Sequence, residues 1–492
     1  MREQPNIKKN FAYSFAYQLL TVVLPLITAP YIARTLGPDP IGVFQKTYAA
    51  AYYFYLFTLL GLKNYGNRTI ARVREDPAAR SRAFCELYAL QLGVSVIVAA
   101  LYVGFCFRFT EEYRVIYLLQ GFYVLSGMLE TDWFCYGMEQ FKLPMLRCTA
   151  MRLGVLAAVF VFVHEPKDLG VYTAILSVGT LLSELMLWPY ILKEIKPVRP
   201  TWKGIVQHIK PNLMLFWPVV AVSLYNLMDK LLLGCFGTNE EVAFYANAEK
   251  INNIAVTLIL ALDAVVMPRM SNIFAKNDTE QAKKLMDTVM LFAMFLSGAL
   301  AFGLAGIAEG FAPWFYGAAF VRCGFYMLLL SPTVLIKGWA SALRTQYIIP
   351  TGKDRIFLIS LSAGAGVNLI LDLLLIPSLA GVGAIIGTIA AEATVAILQF
   401  VLCRKDVPLG SYLKDGAAFV LIGAIMFAAV KTVGLLPLHP AATFVLQVIT
   451  GVLVYIPLAC VYMLKIAKKP MLINEALSIL KVKHRFGMGK DA

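Results

Sequence analysis

Residues 291–308 read LFAMFLSGALAFGLAGIA and carry no charged side chain over eighteen consecutive positions. A helix that crosses the hydrocarbon layer of a membrane, which is about 30 Å thick, needs about 20 predominantly apolar residues. The stretch also lacks the alternation of apolar and polar residues that is typical of a membrane barrel strand. It therefore predicts a membrane-spanning helix.

The same pattern recurs along the whole chain. Of the 492 residues, 59% are hydrophobic and only 15% are charged, whereas soluble proteins average about 45–50% apolar and about 25% charged residues. We predict an all-α, polytopic membrane protein with about fourteen transmembrane helices. The predicted spans are residues 11–33, 42–62, 85–107, 115–137, 149–163, 169–192, 213–236, 246–267, 287–308, 323–345, 356–377, 383–402, 415–434 and 442–464.

The Lys and Arg residues predict the orientation of these spans. If the N-terminus is cytoplasmic, 34 of the 44 basic residues lie at cytoplasmic ends and loops, as the positive-inside rule requires. Both termini are then cytoplasmic. The net charge of +14 is mostly this insertion signal, and because the basic residues are dispersed, a nucleic-acid partner is not expected.

A faint internal repeat predicts the organisation of the spans. Gly37, Gly42 and Phe44 recur as Gly237, Ala243 and Tyr245 about 200 residues later, an offset of about six predicted spans. We therefore predict an N-terminal lobe at 1–205 with spans one to six and a second lobe at 206–408 with spans seven to twelve. Residues 409–492 would hold two further spans and a basic cytoplasmic tail.

Few features favour catalysis. The predicted outer loops are short, and the eight cysteines form no CxxC pair. Three of the four histidines, including His208, are predicted in loops and the fourth in the tail. A polymerase or glycosyltransferase that works on the outer face generally needs a sizeable outer domain, so we predict a protein that is not an enzyme.

Several short motifs are characteristic in combination. They are YIARTLG at 31–37, GLKNYGNRTIA at 61–71, DWFCYGMEQFK at 132–142, MPRMS at 267–271, RTQYIIP at 344–350 and NLILDLLLIP at 368–377. Together they resemble the polysaccharide transporter family, the repeat-unit flippases of O-antigen and capsule pathways. That family belongs to the superfamily of multidrug, oligosaccharidyl-lipid and polysaccharide exporters.

The resemblance implies two six-helix lobes around a central cavity and transport by alternating access. The implied substrate is an undecaprenyl-diphosphate-linked oligosaccharide, moved from the inner to the outer leaflet of the bacterial cytoplasmic membrane. It also suggests a polysaccharide polymerase and a chain-length regulator as partners. The main alternative is a cation-coupled multidrug antiporter of the same superfamily, and a membrane polymerase or glycosyltransferase is a weaker one.

Such a substrate needs a polar, positively biased path, because charges and unpaired hydroxyls are costly in hydrocarbon. Ionisable residues inside spans normally face an interior or a cavity. The candidate substrate-binding residues are Arg34, Lys46, Arg68, Glu130, Asp132, Lys230, Glu249 and Lys250. Two alternatives stay open for Glu130 and Asp132. They would either contact sugar hydroxyls or form ion pairs with Arg147 or Arg152. The aromatic run 48–57 would line a sugar path or belong to the core.

A candidate cation site lies in the second lobe. Asn368 and Asp372 are one helical turn apart on a single face, and Thr388 is predicted at a similar depth on the next span. With Asp229, these residues resemble the sodium site of lipid II flippases, and oxygen ligands suit a hard cation. Coordination of Na⁺, a proton-coupling carboxylate and a structural polar cluster all fit the pattern.

Overall fold

The structure is a computed structural model that describes residues 23–469, except for the side chains at 224–226, 262, 264 and 265. Those residues are nearly all helical and contain no strand. The helices are α1 Val23–Leu36, α2 Pro38–Leu59, α3 Leu62–Val73, α4 Pro77–Phe109, α5 Arg114–Leu129, α6 Asp132–Gly137, α7 Lys142–Phe162, α8 Leu169–Leu185, α9 Trp188–Glu194, α10 Trp202–Phe236, α11 Asn239–Ala275, α12 Thr279–Tyr316, α13 Val321–Leu330, α14 Pro332–Leu343, α15 Asp354–Leu379, α16 Gly381–Leu402, α17 Leu409–Gly434 and α18 Pro440–Val461.

The helix lengths confirm an all-α, polytopic membrane protein. Between residues 23 and 469, nine helices are long and apolar enough to cross a membrane, or up to eleven if each of two bent pairs counts as one span. Every predicted span overlaps a helix. The count of fourteen is not confirmed by this test, since α1, α2 and α5 are not among the helices that pass it.

Several spans predicted to be continuous are broken. The predicted span 115–137 divides into α5 and α6 at Glu130 and Thr131, where Glu130 takes an extended conformation. Gln91 of α4 stabilises the break because its amide donates to the carbonyls of Gly127 and Glu130, at 2.7 and 2.8 Å. The indole of Trp133 donates to the Gln91 oxygen at 3.1 Å. A side chain thus supplies the hydrogen bonds that the helix gives up.

Two further predictions about boundaries are wrong for one reason: charged residues within helix ends were taken as loops. Helix α7 begins at Lys142, so Arg147 lies inside it, although the predicted span starts at 149. His208 lies in α10 and is buried, although a loop was predicted. Neighbouring side chains accommodate both residues: Asp132 and Glu184 pair with Arg147, and the hydroxyl of Tyr65 lies 2.8 Å from Nδ1 of His208.

The chain separates into two compact units, Met1–Ala243 and Phe244–Ala492. Helices α1 to α10 belong to the first unit. The lobe boundaries expected from the sequence, at 205 and 408, stay predictions.

Close contacts at glycines position the elements of the first unit. A Cβ at Gly42 of α2 would overlap the backbone of Asn239, and a Cβ at Gly66 of α3 would lie 2.7 Å from the ring of Trp133. Trp133 is fully buried and stacks on Phe84 with ring centroids 5.4 Å apart. Gly42 and Gly66 therefore allow a neighbouring backbone and a neighbouring ring to approach closely.

We predict that Gly42→Ala lowers the thermal stability of the purified protein, because the added methyl group must displace the backbone of Asn239. Overpacking of this kind typically costs about 1–3 kcal/mol. Gly93→Ala is the matched control, since a Cβ at Gly93 of α4 has no atom within 4 Å and alanine favours a helix. Melting in detergent measures both variants, and equal melting temperatures would contradict the predicted clash.

Candidate functional site

A buried ionic network joins α6, α7 and α8 in the first unit. The Arg147 guanidinium binds the carboxylate of Asp132 at 3.0 Å and also that of Glu184. The side chains of Arg147 and Glu184 are less than a tenth exposed. A buried arginine between two carboxylates ties three helices together, because removal of any partner leaves a charge unpaired. Asp132 therefore pairs with Arg147, one of the two arrangements anticipated from the sequence.

A second ionic group begins at Glu130, in the break between α5 and α6. Its carboxylate binds Nζ of Lys63 at 3.0 Å and accepts a hydrogen bond from the hydroxyl of Tyr55. Glu130 is buried, whereas more than half of the Lys63 side chain is exposed. The pair thus connects a buried carboxylate to the exposed side of α3.

A series of tyrosines extends from Glu130 along α2. Tyr55 stacks on Tyr123 with centroids 4.7 Å apart, and Tyr48 lies 5.1 Å from the same ring. Tyr52 lies between Tyr48 and Tyr55 on α2, with centroids about 6 Å from each. We call Tyr48, Tyr52, Tyr55 and Tyr123 the tyrosine ladder. Its rings pack on one another and also carry hydroxyl groups. The packing fits the role in the core, and the lining of a sugar path stays a prediction.

The two lysines predicted in the spans of the first unit lie on one seam. The aliphatic stem of Lys46 on α2 lies over Gly234 of α10. A Cβ added at Gly234 would lie 2.7 Å from Cγ of Lys46. Lys230 is one turn before Gly234, so it faces the same side of α10. Both lysines are half-buried, and the neighbouring Asp229 is buried. Both lysines thus lie on helices that pack against each other.

The two predicted arginines lie nearer the ends of their helices. Arg34 is exposed near the end of α1. Arg68 is exposed on α3, and its guanidinium lies 5.9 Å from the ring centroid of Tyr65.

The second unit holds the remaining candidates. Glu249 and Lys250 are half-buried in α11. Lys337 of α14, which the sequence also places inside a span, binds Glu392 of α16 at 3.0 Å. This pair bridges two helices, as the Arg147 network does in the first unit.

Two residues of the candidate cation site, Asn368 and Asp372, lie side by side on α15 where it faces α16, and the site itself stays a prediction. Asn368 and Asp372 are buried and face Gly387 of α16. A Cβ added at Gly387 would overlap Oδ1 of Asp372. Thr388 follows Gly387 and pairs with the hydroxyl of Tyr245 at 2.9 Å. One carboxylate with amide and hydroxyl oxygens fits a hard cation. Asp229 lies in the other unit, and within residues 23–469 no group of three or more His, Cys, Asp or Glu is arranged to hold a metal.

Lys63 and Arg147 were missed as candidate site residues. Each lies at the cytoplasmic end of a predicted span, where a basic residue is ordinarily explained by the positive-inside rule. The available signal was the presence of Glu130, Asp132 and Glu184, which need partners inside the membrane.

The described helices define a polytopic, all-helical membrane fold, and known structures share it. The lipid II flippase MurJ, in an inward closed conformation, superposes with a TM-score of 0.73 over 93% of this chain and all of MurJ, at 14% identity. An inward-facing multidrug resistance MATE transporter of the MOP superfamily gives 0.59 over 82% of this chain and 99% of that one, at 15% identity. Both similarities concern the fold.

Sequence similarity defines the family. The profile described as "Polysaccharide biosynthesis protein" matches residues 7–274, and the chain belongs to that family. A protein of Escherichia coli K12 named as an O-antigen transporter is 21% identical over 409 residues, which cover 82% of this chain and 97% of that protein. The resemblance to the polysaccharide transporter family is thereby confirmed.

We predict that Arg147→Met destabilises the first unit strongly, because Asp132 and Glu184 lose their shared cation. Breaking a buried ion pair from one side costs about 3–5 kcal/mol. Arg152→Met, on the exposed surface of the same helix, is the control and should change the melting temperature little. Neutralising both carboxylates in the Arg147→Met protein, with Asp132→Asn and Glu184→Gln, should recover part of the loss. Equal melting of the two single variants would show that the network contributes no stability.

Proposed function

We propose that the protein is a flippase that moves undecaprenyl-diphosphate-linked oligosaccharide repeat units from the inner to the outer leaflet of the bacterial cytoplasmic membrane. It works by alternating access and serves the synthesis of capsule, O-antigen or exopolysaccharide. Both termini face the cytoplasm. A polysaccharide polymerase and a chain-length regulator are the partners that would consume the exported units.

The observation that carries the proposal is the similarity to the protein named as an O-antigen transporter, which covers 97% of that protein. The likeness to MurJ, a lipid II flippase, supports a shared architecture. Family membership, relative and fold all point to transport of a lipid-linked saccharide.

The geometry of the first unit supports the same substrate class. A diphosphate needs clustered cationic donors, and the seam of α2 and α10 holds Lys46 near Lys230. Sugar hydroxyls need polar partners along the path, and the tyrosine ladder offers several. We assign Lys46, Lys230, Arg34 and Arg68 to the diphosphate path of this unit, and Lys250 with Glu249 to that of the second.

The direction of transport has two candidate sources of energy. An inside-negative potential favours outward movement of an anion by about 2.3 kcal/mol per charge per 100 mV. A coupled cation would reset the empty carrier, and we propose Na⁺ for this role, held by Asn368, Asp372 and Thr388; the addition of Asp229 to this set stays a prediction from the sequence. Proton coupling through Asp372 is the alternative for the same site.

Two other functions share parts of this description. A multidrug antiporter would have the same fold, as the MATE neighbour illustrates, but cationic drugs would be repelled by the seam of Lys46 and Lys230. A polymerase or glycosyltransferase would make or break sugar bonds, which a flippase does not.

We predict that the gene restores surface polysaccharide to a strain that lacks its repeat-unit flippase, and that Lys46→Ala and Lys250→Ala abolish this export while the protein is still made. Loss of either lysine removes a charge that the diphosphate needs. Lys431→Ala is the control, since Lys431 is paired with Glu309 and belongs to neither proposed binding site. Surface polysaccharide, protein level and dye efflux are measured together. Dye efflux without restored polysaccharide would indicate the antiporter, and export by both lysine variants would refute their role.

We predict that Asp372→Asn removes the Na⁺ dependence of export, because the amide cannot supply the negative charge that a hard cation needs. Asp406→Asn is the matched control on an exposed loop, where Lys353 binds Asp406 at 2.7 Å and holds the pKa of that carboxyl below its usual value. Export is measured in vesicles over a series of Na⁺ concentrations at fixed membrane potential. An Asp372→Asn protein with the ion dependence of the unaltered one would eliminate the site.

A further inference from the structure

A cavity of about 500 Å³ lies within the first unit between α1, α7 and α8. None of the residues assigned above to the diphosphate or the cation lines it. Its volume falls in the range of small-molecule sites, about 300–1,000 Å³. Much of its wall is aliphatic, contributed by residues such as Val155, Leu156 and Leu176.

Polar groups stand at intervals along this aliphatic wall. Tyr172 and Ser183 line the cavity, and their hydroxyls make no hydrogen bond within the described part of the chain. Thr28 and Thr180 also line it, and their hydroxyls donate to the carbonyls of Leu24 and Leu176. Each of these threonines therefore still offers lone pairs to a ligand.

The charges at one end of the cavity balance. Arg147 and Arg152 line it together with Glu184, and Asp132 pairs with Arg147. The two positive charges of the arginines are thus balanced by the negative charges of Glu184 and Asp132. The cavity has no excess positive charge that would attract a diphosphate. The buried Nε of Arg147 has no hydrogen-bond partner among residues 23–469, so a neutral acceptor such as a hydroxyl oxygen would satisfy it.

An aromatic group connects the cavity to the tyrosine ladder. The ring of Tyr172 lies 4.9 Å from Phe44, and Phe44 lies 6.0 Å from Tyr48. A ligand whose faces are apolar and whose edges carry hydroxyls matches aromatic and aliphatic walls with interspersed donors and acceptors.

We propose that this cavity is a binding subsite for an uncharged pyranose ring of the oligosaccharide, separate from the residues that hold the diphosphate. The inference rests on the proposed function and refines it. The first unit then recognises its substrate at two places: cations on α2 and α10 bind the charged linkage, and the cavity at α1, α7 and α8 binds a sugar. Tyr172, Ser183 and Arg147 Nε supply the hydrogen bonds.

Two ligands test the assignment with purified protein: the lipid-linked repeat unit extracted from a flippase-deleted strain, and undecaprenyl diphosphate without sugar. Thr180→Trp fills the cavity and should weaken binding of the sugar-bearing lipid by about tenfold or more. Binding of the sugar-free lipid should not change. Leu182→Trp is the matched control, because Leu182 is on α8, is 49% exposed and does not line the cavity.

A milder variant guards against misfolding of the Thr180→Trp protein. The double substitution Tyr172→Phe and Ser183→Ala removes two hydroxyls without added volume and should weaken binding of the sugar-bearing lipid about threefold to tenfold. If binding of both lipids is weakened equally, the cavity binds the diphosphate or the lipid tail, and the sugar subsite is overturned. Unchanged binding of both lipids by the double variant would overturn it as well. If the unaltered protein binds neither lipid, the proposed function fails, and the subsite fails with it.

Discussion

An ion buried in hydrocarbon requires a counter-ion, and the first unit is organised around this requirement. Arg147 is held between Asp132 and Glu184, and Glu130 is held by Lys63. These pairs join α3, α5, α6, α7 and α8, so the charges that are most costly to bury also fix the helices relative to one another. The apolar surfaces turned to lipid impose no such restriction, because one aliphatic residue replaces another there at little cost.

The polar residues of the first unit fall into three groups. The carboxylates and cations of the Arg147 network pair with one another, and Glu130 pairs with Lys63. These pairs stabilise the fold. Lys46 and Lys230 are half-buried on the seam of α2 and α10, which we propose binds the diphosphate. The tyrosine ladder and the cavity at α1, α7 and α8 carry hydroxyls on apolar surfaces. This separation suits the proposed substrate, which is itself divided into a diphosphate, a saccharide and a lipid tail.

Sequence periodicity and hydropathy located the helices, because each apolar run is long enough to define one. Breaks were not predictable in the same way: the interruption at Glu130 depends on Gln91, which is remote in sequence and shows no local signal. Asn368 and Asp372 were placed on one face correctly, since spacing along a single helix is sufficient for that. The contact of Lys46 with Gly234 needed the packing of two helices about 190 residues apart.

The break at Glu130 has a consequence for how the chain is inserted during synthesis. Lys63 and Gln91 are made before Glu130, so the counter-ion and the amide that caps the exposed carbonyls are already present when the interrupted helix emerges. Arg147 follows Asp132 by fifteen residues and precedes Glu184. Each carboxylate of the group is therefore made within a few helices of the cation that pairs with it.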